Sequence, residues 1–237
     1  MSGLGKLAHT IAPKPLPAAA ITIDEKSDIV LQSLDRAITS ASIDHRPESK
    51  GTFHSANLGS SCDRFLYLHY NGLLPPSSVD AITQRKFDYG HTAEPRYKQY
   101  FQNMHSYIAD EQPARIDDPP IHGRVDFLLT LPQIGLKQVV AELKTINDSG
   151  FKALTEATYY HTVQLQTYLN ILDISHGFVL YENKNTQAVK IFFQEKNVVL
   201  WDALVDKCYR IMGLSELPKL KVLNHDRYCR CLTYKNK

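Results

Sequence analysis

The order of strand-like and helical segments predicts an α/β or α+β fold with one central sheet, and we take the α/β form. Two short runs rich in β-branched and aromatic residues, 121–130 and 138–146, lie close together in the sequence. A long helical segment over 150–172 follows them, and a final helix is predicted over 196–212. Two further strand-like runs lie between these helices, so helices and strands alternate along this part of the chain.

The amino-terminal part is predicted to be mainly helical. Residues 1–25 are rich in Pro and Ala and are predicted to form a flexible leader, without the apolar core of a secretory signal. Apolar residues at helical spacing predict a first helix over 28–43. Ser60 or Ser61 is a suitable N-cap for a second helix. A longer third helix is predicted over 78–104.

The strand-like runs group into two pairs. The linker between 121–130 and 138–146 contains Pro and Gly, which predicts two adjacent antiparallel strands. The later runs, 177–184 and 188–194, are joined by a short Asn-rich turn and predict a second strand pair. We therefore expect a single domain after the leader, over 26–237.

Composition excludes some classes of protein. The 237 residues are 43% hydrophobic, enough for one sizeable core, and no run approaches the ~18 apolar residues that cross a bilayer. The net charge is only +2, but residues 207–237 hold eight Lys or Arg and two Asp or Glu. This basic end suits a polyanion such as nucleic acid, or is simply a solvated helix and tail. Four cysteines do not resemble a disulfide framework, which favours a cytoplasmic protein.

Charged side chains inside the predicted apolar strands are the main sign of a functional site. Alternation along 138–146 places Glu142 and Lys144 on one face of the strand. Burying a charge is costly unless it is paired or binds a metal. Asp126 lies within the apolar run of the preceding strand, so pairing of the two strands would bring Asp126 and Glu142 together.

Two converging carboxylates are the usual oxygen ligands of Mg²⁺ or Mn²⁺. A nearby lysine can orient or deprotonate a water and neutralise a phosphate transition state, so these groups suffice for phosphodiester hydrolysis. The alternative is a Glu142–Lys144 salt bridge along one strand, with Asp126 as a turn or edge acid. E-x-K alone is very common, and the G-x-x-D motif that ends at Asp126 favours the catalytic interpretation.

The two motifs together resemble the core of the PD-(D/E)xK nucleases. Gly123-Arg124-Val125-Asp126 matches the first motif, with Val125 in place of the usual Pro, and Glu142-Leu143-Lys144 matches the second. Residues 61–67, 87–91 (FDYGH) and 164–168 (QLQTY) resemble further motifs of the RecB-like branch. That branch includes CRISPR-associated adaptation nucleases and phage exonucleases. The motifs follow the order of the branch along a core of about 57–193, which precedes the basic helix and tail at 196–237.

The resemblance implies a restriction-endonuclease-like core, in which a central mixed sheet is flanked by helices. It also implies roles for particular residues: Asp126, Glu142 and Lys144 in catalysis; His91, Asp126, Glu142 and the carbonyl of Leu143 as metal ligands; Gln164 and Tyr168 as DNA contacts. Alternatives stay open for several of these residues.

His91 can instead be a hydrogen-bonded structural histidine, and Gln164 with Tyr168 can form a plain helix face packed on the sheet. Glu94 lies three residues after His91 and is expected in solvent rather than at the metal. Lys184 ends a second E-x-K that lacks an upstream G-x-x-D, so we expect it only to contact the DNA backbone.

The cysteines allow a second cofactor. Some RecB-like nucleases hold an iron–sulfur cluster with one cysteine before the core and three after it. Cys62, Cys208, Cys229 and Cys231 match this count, although their spacing departs from the compact carboxy-terminal trio of the family. The alternative is four unrelated thiols, with Cys62 and Cys208 buried as small apolar residues.

The activity implied by the resemblance is that of a DNA nuclease dependent on Mg²⁺ or Mn²⁺. We expect an exonuclease that acts on DNA in recombination, repair or phage DNA metabolism, in the host cytoplasm if it is phage-encoded. A structure- or site-specific endonuclease of the same fold and a non-catalytic DNA-binding protein are the alternatives.

Overall fold

The computed structural model describes residues 23–41, 50–74, 79–219 and 231. The chain divides into two compact units, Met1–Ile43 with Ser78–Gln84 and Asp44–Ser77 with Arg85–Lys237. The described part of the first unit holds helix α1 (Ile23–Ala41) and the first residues of α3 (Ala81–Asn103). The second unit holds the sheet and the remaining helices. The single domain predicted over 26–237 stays a prediction.

The predicted amino-terminal helices are present, with shifted ends. Helix α1 begins before the predicted residue 28, and Asp24 and Glu25 in its first turn suit the positive end of the helix dipole. Cys62, rather than Ser60 or Ser61, is the N-cap of α2 (Asp63–Tyr70), because its sulfur accepts the Phe65 N–H at 3.4 Å. The long helix α3 is confirmed and continues through Gly90 and Pro95. No helix in the described ranges is long and apolar enough to cross a membrane.

Six strands form one mixed sheet. The two predicted strand pairs are confirmed as β3 with β4 and β5 with β6, both antiparallel. Strand β2, which pairs with β3, was not predicted, because charged residues and Pro113 interrupt its apolar pattern. The two-residue β1 was not predicted either. The strands are β1 (Phe53–His54), β2 (Tyr107–Asp117), β3 (Pro120–Leu131), β4 (Leu136–Ile146), β5 (His176–Asn183) and β6 (Val189–Glu195).

The prediction of one continuous helix over 150–172 is wrong. It consists of α4 (Asp148–Ala153) and α5 (Tyr159–Ile171), separated by an irregular stretch. The break has a physical cause, since Lys190 Nζ donates to the carbonyls of Phe151 and Leu154, both at 2.7 Å, where α4 ends. The predicted last helix is confirmed as α6 (Val198–Met212).

The sheet is covered on both faces. Val139 and Ala141 of β4 pack with Tyr97 of α3, whereas the intervening Val140 packs with Leu165 of α5. Because side chains alternate along a strand, α3 and α5 lie on opposite faces. The predicted arrangement, a central mixed sheet flanked by helices, is therefore confirmed.

The middle of the sheet is split where β3 and β4 diverge. Their antiparallel pairing reaches Phe127 and Ala141 and goes no further. Beyond that point β4 pairs in parallel with β5 as far as Ile146, while β1 pairs with β3 at Ile121 and His122. Residues 123–126 of β3 therefore lie between β1 and β4 without a ladder partner on that edge. Asp126 stands at the point of divergence.

We expect Gly123→Ala to lower the free energy of unfolding by about 1–3 kcal/mol, because the site is overpacked by a methyl group. A Cβ at this position would lie inside van der Waals contact of Ser55 Oγ and Tyr168 Cε1. Urea denaturation in metal-free buffer measures the change. Gly90→Ala is the matched control, since its Cβ would meet only Thr145 Oγ1 at 3.6 Å within an α-helix. Equal stability of the two variants would contradict the close approach of α5 to β3.

Candidate active site

A side chain of β3 bridges the split between β3 and β4. Asp126 Oδ2 accepts the backbone N–H of Leu143 at 2.8 Å. This bond satisfies a β4 amide at the place where β3 no longer supplies a carbonyl. It also fixes the Asp126 carboxylate beside Glu142, as the strand pairing predicted.

Glu142 is fully buried and only half satisfied. Its Oε1 accepts Lys144 Nζ at 2.5 Å, so the salt bridge offered as the alternative interpretation does exist. Glu142 Oε2, however, is buried and has no hydrogen-bond partner. Leaving a buried acceptor unpaired is costly. The pair therefore has room for one more positively charged or hydrogen-bonding partner.

The pKa shifts of Asp126, Glu142 and Lys144 agree with this incomplete pairing. Burial, and next the charge of Asp126, raise the pKa of Glu142 to about 8. Burial also raises the pKa of Asp126. Burial alone would lower the pKa of Lys144, but the negative charges of Glu142 and Asp126 outweigh burial and raise it. Lys144 therefore stays protonated at neutral pH. A divalent cation would stabilise both carboxylates in their charged form.

A pocket of about 600 Å³ opens at the split, between α3 and α5. Its wall includes Asp126, Leu143 and Lys144, whereas Glu142 lies buried behind it. Apolar and polar side chains from both helices complete the wall. The geometry therefore places Asp126 and Lys144 in the wall of a cleft that is open to solvent, with the Glu142 carboxylate directly behind them.

Helix α3 contributes two potential ligands to this pocket, His91 and Glu94. Burial and then the charge of Asp126 raise the pKa of Glu94, so this residue is not the solvated side chain that the sequence predicted. Among the described residues, no three His, Cys, Asp or Glu side chains converge closely enough to hold a metal ion. The predicted ligands His91, Asp126 and Glu142 therefore belong to one site but do not stand at metal-binding distance.

The residue types nevertheless fit a hard divalent cation. Asp126 and Glu142 supply carboxylate oxygens, and Glu142 Oε2 is the buried acceptor that such an ion would satisfy. His91 and Glu94 of α3 line the same pocket and offer a further nitrogen and further oxygen ligands.

The predicted DNA contacts on α5 differ in their placement. Gln164 lines the pocket, and its Nε2 donates to the Tyr168 hydroxyl at 3.0 Å. Ser55 Oγ donates to the same hydroxyl at 3.0 Å, and Tyr168 is only 1% exposed. Burial raises the pKa of Tyr168 to about 12. Tyr168 therefore packs on the sheet and orients Gln164, which is the residue of the pair that faces the pocket.

The second E-x-K motif is divided between two places. Glu182 is buried against α3, where its Oε1 accepts Arg96 Nη2 at 2.7 Å. Lys184 lines the pocket, with its Nζ 5.3 Å from the centre of the Tyr89 ring. Burial and the neighbouring Lys86 lower the pKa of Lys184. The motif is therefore no second active centre, but its lysine adds positive charge to the pocket.

The described cysteines lie away from the pocket. Cys62 and Cys231 approach to 3.6 Å between sulfurs, and the buried Cys208 belongs to the same apolar cluster. Cys229 lies outside the described residues. Cys62, Cys208 and Cys231 do not converge as a metal-binding group. The iron–sulfur cluster stays a prediction, and nothing in the chemistry of the pocket depends on it.

Two residues that the sequence did not predict, His161 and Tyr181, also line the pocket. His161 precedes Gln164 by three residues, so helical spacing alone places the two on one face. Tyr181 lies on β5 opposite Lys144 of β4, a pairing that no local pattern reveals.

Comparisons with known proteins bear on the fold. No protein-family model matches the sequence, and no curated protein matches it. The crystal structure of SSO0001 aligns with 20% identity and a TM-score of 0.50, over 80% of this chain and 88% of that one. The alkaline exonuclease LHK-Exo from Laribacter hongkongensis aligns with 13% identity and a TM-score of 0.50, over 75% of this chain and 91% of that one.

The complex of LHK-Exo with dAMP aligns similarly, with 11% identity and a TM-score of 0.51, over 77% of this chain and 91% of that one. Identities this low establish likeness of fold. The predicted restriction-endonuclease-like core is thereby confirmed as a fold, and it is shared with a known exonuclease.

We expect the affinity of the chain for Mn²⁺ to rise with pH up to about 8, the pKa of Glu142, because a cation must displace the proton of that carboxyl. Below that pKa, each pH unit should weaken binding by up to about tenfold for each proton displaced. Isothermal titration calorimetry at several pH values measures this dependence. Glu142→Gln should abolish it, whereas the exposed Glu156→Gln should not. An affinity that does not change with pH would contradict the role of Glu142.

Proposed function

We propose that this chain is a metal-dependent DNA nuclease that hydrolyses phosphodiester bonds at Asp126, Glu142 and Lys144. The observation that carries the proposal is the buried Glu142 carboxylate behind the pocket wall, which is paired on one oxygen and unpartnered on the other. The fold shared with an alkaline exonuclease supports the same activity. The order of the sequence motifs supports the narrower assignment to the RecB-like branch.

Asp126 and Glu142 would hold Mg²⁺ or Mn²⁺, with the carbonyl of Leu143 as the ligand that the family resemblance adds. His91 and Glu94 are the candidates to complete the site from α3. The ion, when bound, would polarise the phosphate and lower the pKa of a bound water. The two carboxylates repel each other when both are charged. The Lys144 ammonium offsets this repulsion and so helps to keep them close together.

Lys144 acts in this proposal as a cation and hydrogen-bond donor. Its raised pKa keeps the ammonium protonated at neutral pH, so it is poorly suited to remove a proton from water. An ammonium in the pocket wall beside the reacting phosphate would instead stabilise the additional negative charge of the transition state. Of the roles that the sequence allowed for Lys144, neutralising the charge of the transition state is therefore favoured over removing a proton from water.

The rest of the pocket suits a polyanionic substrate. Lys86 and Lys184 lie on its wall, and Lys184 is the residue that the sequence analysis assigned to the DNA backbone. Gln164, oriented by Tyr168, supplies a polar side chain beside them. Lysine charges and amide groups of this kind contact phosphates without regard to sequence.

An exonuclease is the favoured form of this activity, because one structural neighbour is an alkaline exonuclease and was crystallised with dAMP. A role in recombination, repair or phage DNA metabolism follows from the family resemblance. An endonuclease of the same fold is the second candidate, and a non-catalytic DNA-binding protein is the third. The intact set of Asp126, Glu142 and Lys144 disfavours the third.

We expect Glu142→Gln and Lys144→Met each to reduce the cleavage rate by about 10²–10³-fold, the usual effect of losing one preorganised electrostatic contact. Release of label from linear DNA with Mg²⁺ or Mn²⁺ measures the rate. Glu156→Gln and Lys152→Met change the same residue types on exposed surfaces and should cleave normally. Full activity in either active-site variant, or no cleavage by the unaltered chain with either metal, would defeat the proposal.

An exonuclease should degrade linear DNA and leave covalently closed circular DNA of the same sequence intact. The pocket has to admit a strand end for this, and the reaction should release mononucleotides or short products from the start. Gel and chromatographic analysis of the two substrates distinguishes the forms. Linearisation of the circle at an early time would favour the endonuclease instead.

A further inference from the structure

His161 and Tyr181 form a hydrogen-bonded pair in the pocket wall. His161 lies in the first turn of α5, and its Nδ1 is 2.6 Å from the Tyr181 hydroxyl oxygen. The backbone N–H of Thr158 donates to the same oxygen at 3.0 Å. The pair therefore ties the start of α5 to β5, and it places an imidazole beside Lys144 and Gln164.

The geometry identifies the donor in this pair. A separation of 2.6 Å is short for an N–H donor and ordinary for an O–H donor. The Thr158 N–H already occupies one lone pair of the tyrosine oxygen. The Tyr181 hydroxyl is therefore the donor and Nδ1 the acceptor. A neutral imidazole then carries its single proton on Nε2.

The surroundings keep the ring neutral. Burial, and next the positive charge of Lys144, lower the pKa of His161 to about 3. A histidine with so low a pKa is a poor general acid or base near neutral pH. It remains a good neutral hydrogen-bond donor through Nε2–H. Among the described residues, none forms a hydrogen bond to Nε2, although the ring lines the pocket.

We propose that His161 is a phosphate-binding residue, whose Nε2–H donates to a non-bridging oxygen of the DNA backbone. The inference rests on the proposed nuclease function and adds a specific contact to it. Lys144 and Lys184 in the same pocket wall favour an anionic acceptor. Gln164, one helical turn further along α5, would contact the same stretch of backbone. Tyr181 is the positioning residue that fixes the tautomer.

The tautomer can be measured without substrate. Long-range ¹H–¹⁵N NMR spectra of histidine-labelled, metal-free protein should show His161 neutral, with the proton on Nε2, from about pH 6 to 8. Tyr181→Phe removes the hydroxyl that Nδ1 accepts from and should change this signal while the His176 signal stays the same. A proton on Nδ1, or titration of the ring at an ordinary histidine pKa, would overturn the inference.

The phosphate contact requires a second experiment. In a Glu142→Gln background, which slows cleavage, His161→Ala should weaken binding of a short labelled duplex about 10–100-fold, the usual effect of a lost hydrogen bond to a charged group. His161→Gln retains an N–H donor near the position of Nε2 and should lose less affinity. His176→Gln, a histidine outside the pocket, is the matched control and should bind normally.

Neutral methylphosphonate linkages identify the phosphate itself. Replacing the contacted phosphate should weaken binding to the His161 chain but have little further effect on the His161→Ala chain. If replacing each phosphate weakens binding equally in the two chains, this inference is wrong while the proposed nuclease function stands. If the Glu142→Gln chain binds no DNA at all, both are overturned.

Discussion

The hydrogen bond from the Leu143 amide to the Asp126 carboxylate lies where the central sheet divides, and the remaining features of the site depend on it. Strand β4 separates from β3 after Ala141, while its pairing with β5, which begins at Val140, continues to Ile146. The next amides of β4 therefore have no ladder partners on the β3 side. Asp126 replaces one of those partners with a charged side chain. An acid is thereby held at the centre of an apolar sheet, next to the buried Glu142, and the divergence leaves space for a pocket above both.

Helix α5 provides another wall of the pocket, and it approaches β3 closely at Gly123. Gly123 of β3 leaves space for Tyr168, and the Tyr168 hydroxyl accepts hydrogen bonds from Ser55 and Gln164. A side chain at residue 123 would push α5 away from the sheet. The G-x-x-D motif thus has two physical roles. Its glycine sets the height of α5 above β3, and its aspartate ties β3 to β4.

Much of this arrangement could be predicted from local patterns. Alternating side chains placed Glu142 and Lys144 on one face, and an acid in a neighbouring apolar run led to Asp126. What the patterns could not reveal depends on contacts between distant elements. Strand β2 is polar because it lies at the edge of the sheet, and α4 ends where Lys190 of a later strand reaches its carbonyls. Glu94 was assigned to solvent because nothing local shows that Asp126 lies near it.

The balance of charge at the split explains why the site is incomplete without a further cation. Lys144 pairs directly with Glu142, whereas Asp126 and Glu94 have no such ion pair with it. Burial is the largest cause of the raised pKa of all three carboxyl groups, and repulsion from the charge of Asp126 adds to it at Glu142 and Glu94. Protonation relieves part of that repulsion at lower pH, and a divalent ion would relieve it more fully. The same excess of negative charge would repel a phosphate, and the cation that removes it therefore also admits the substrate.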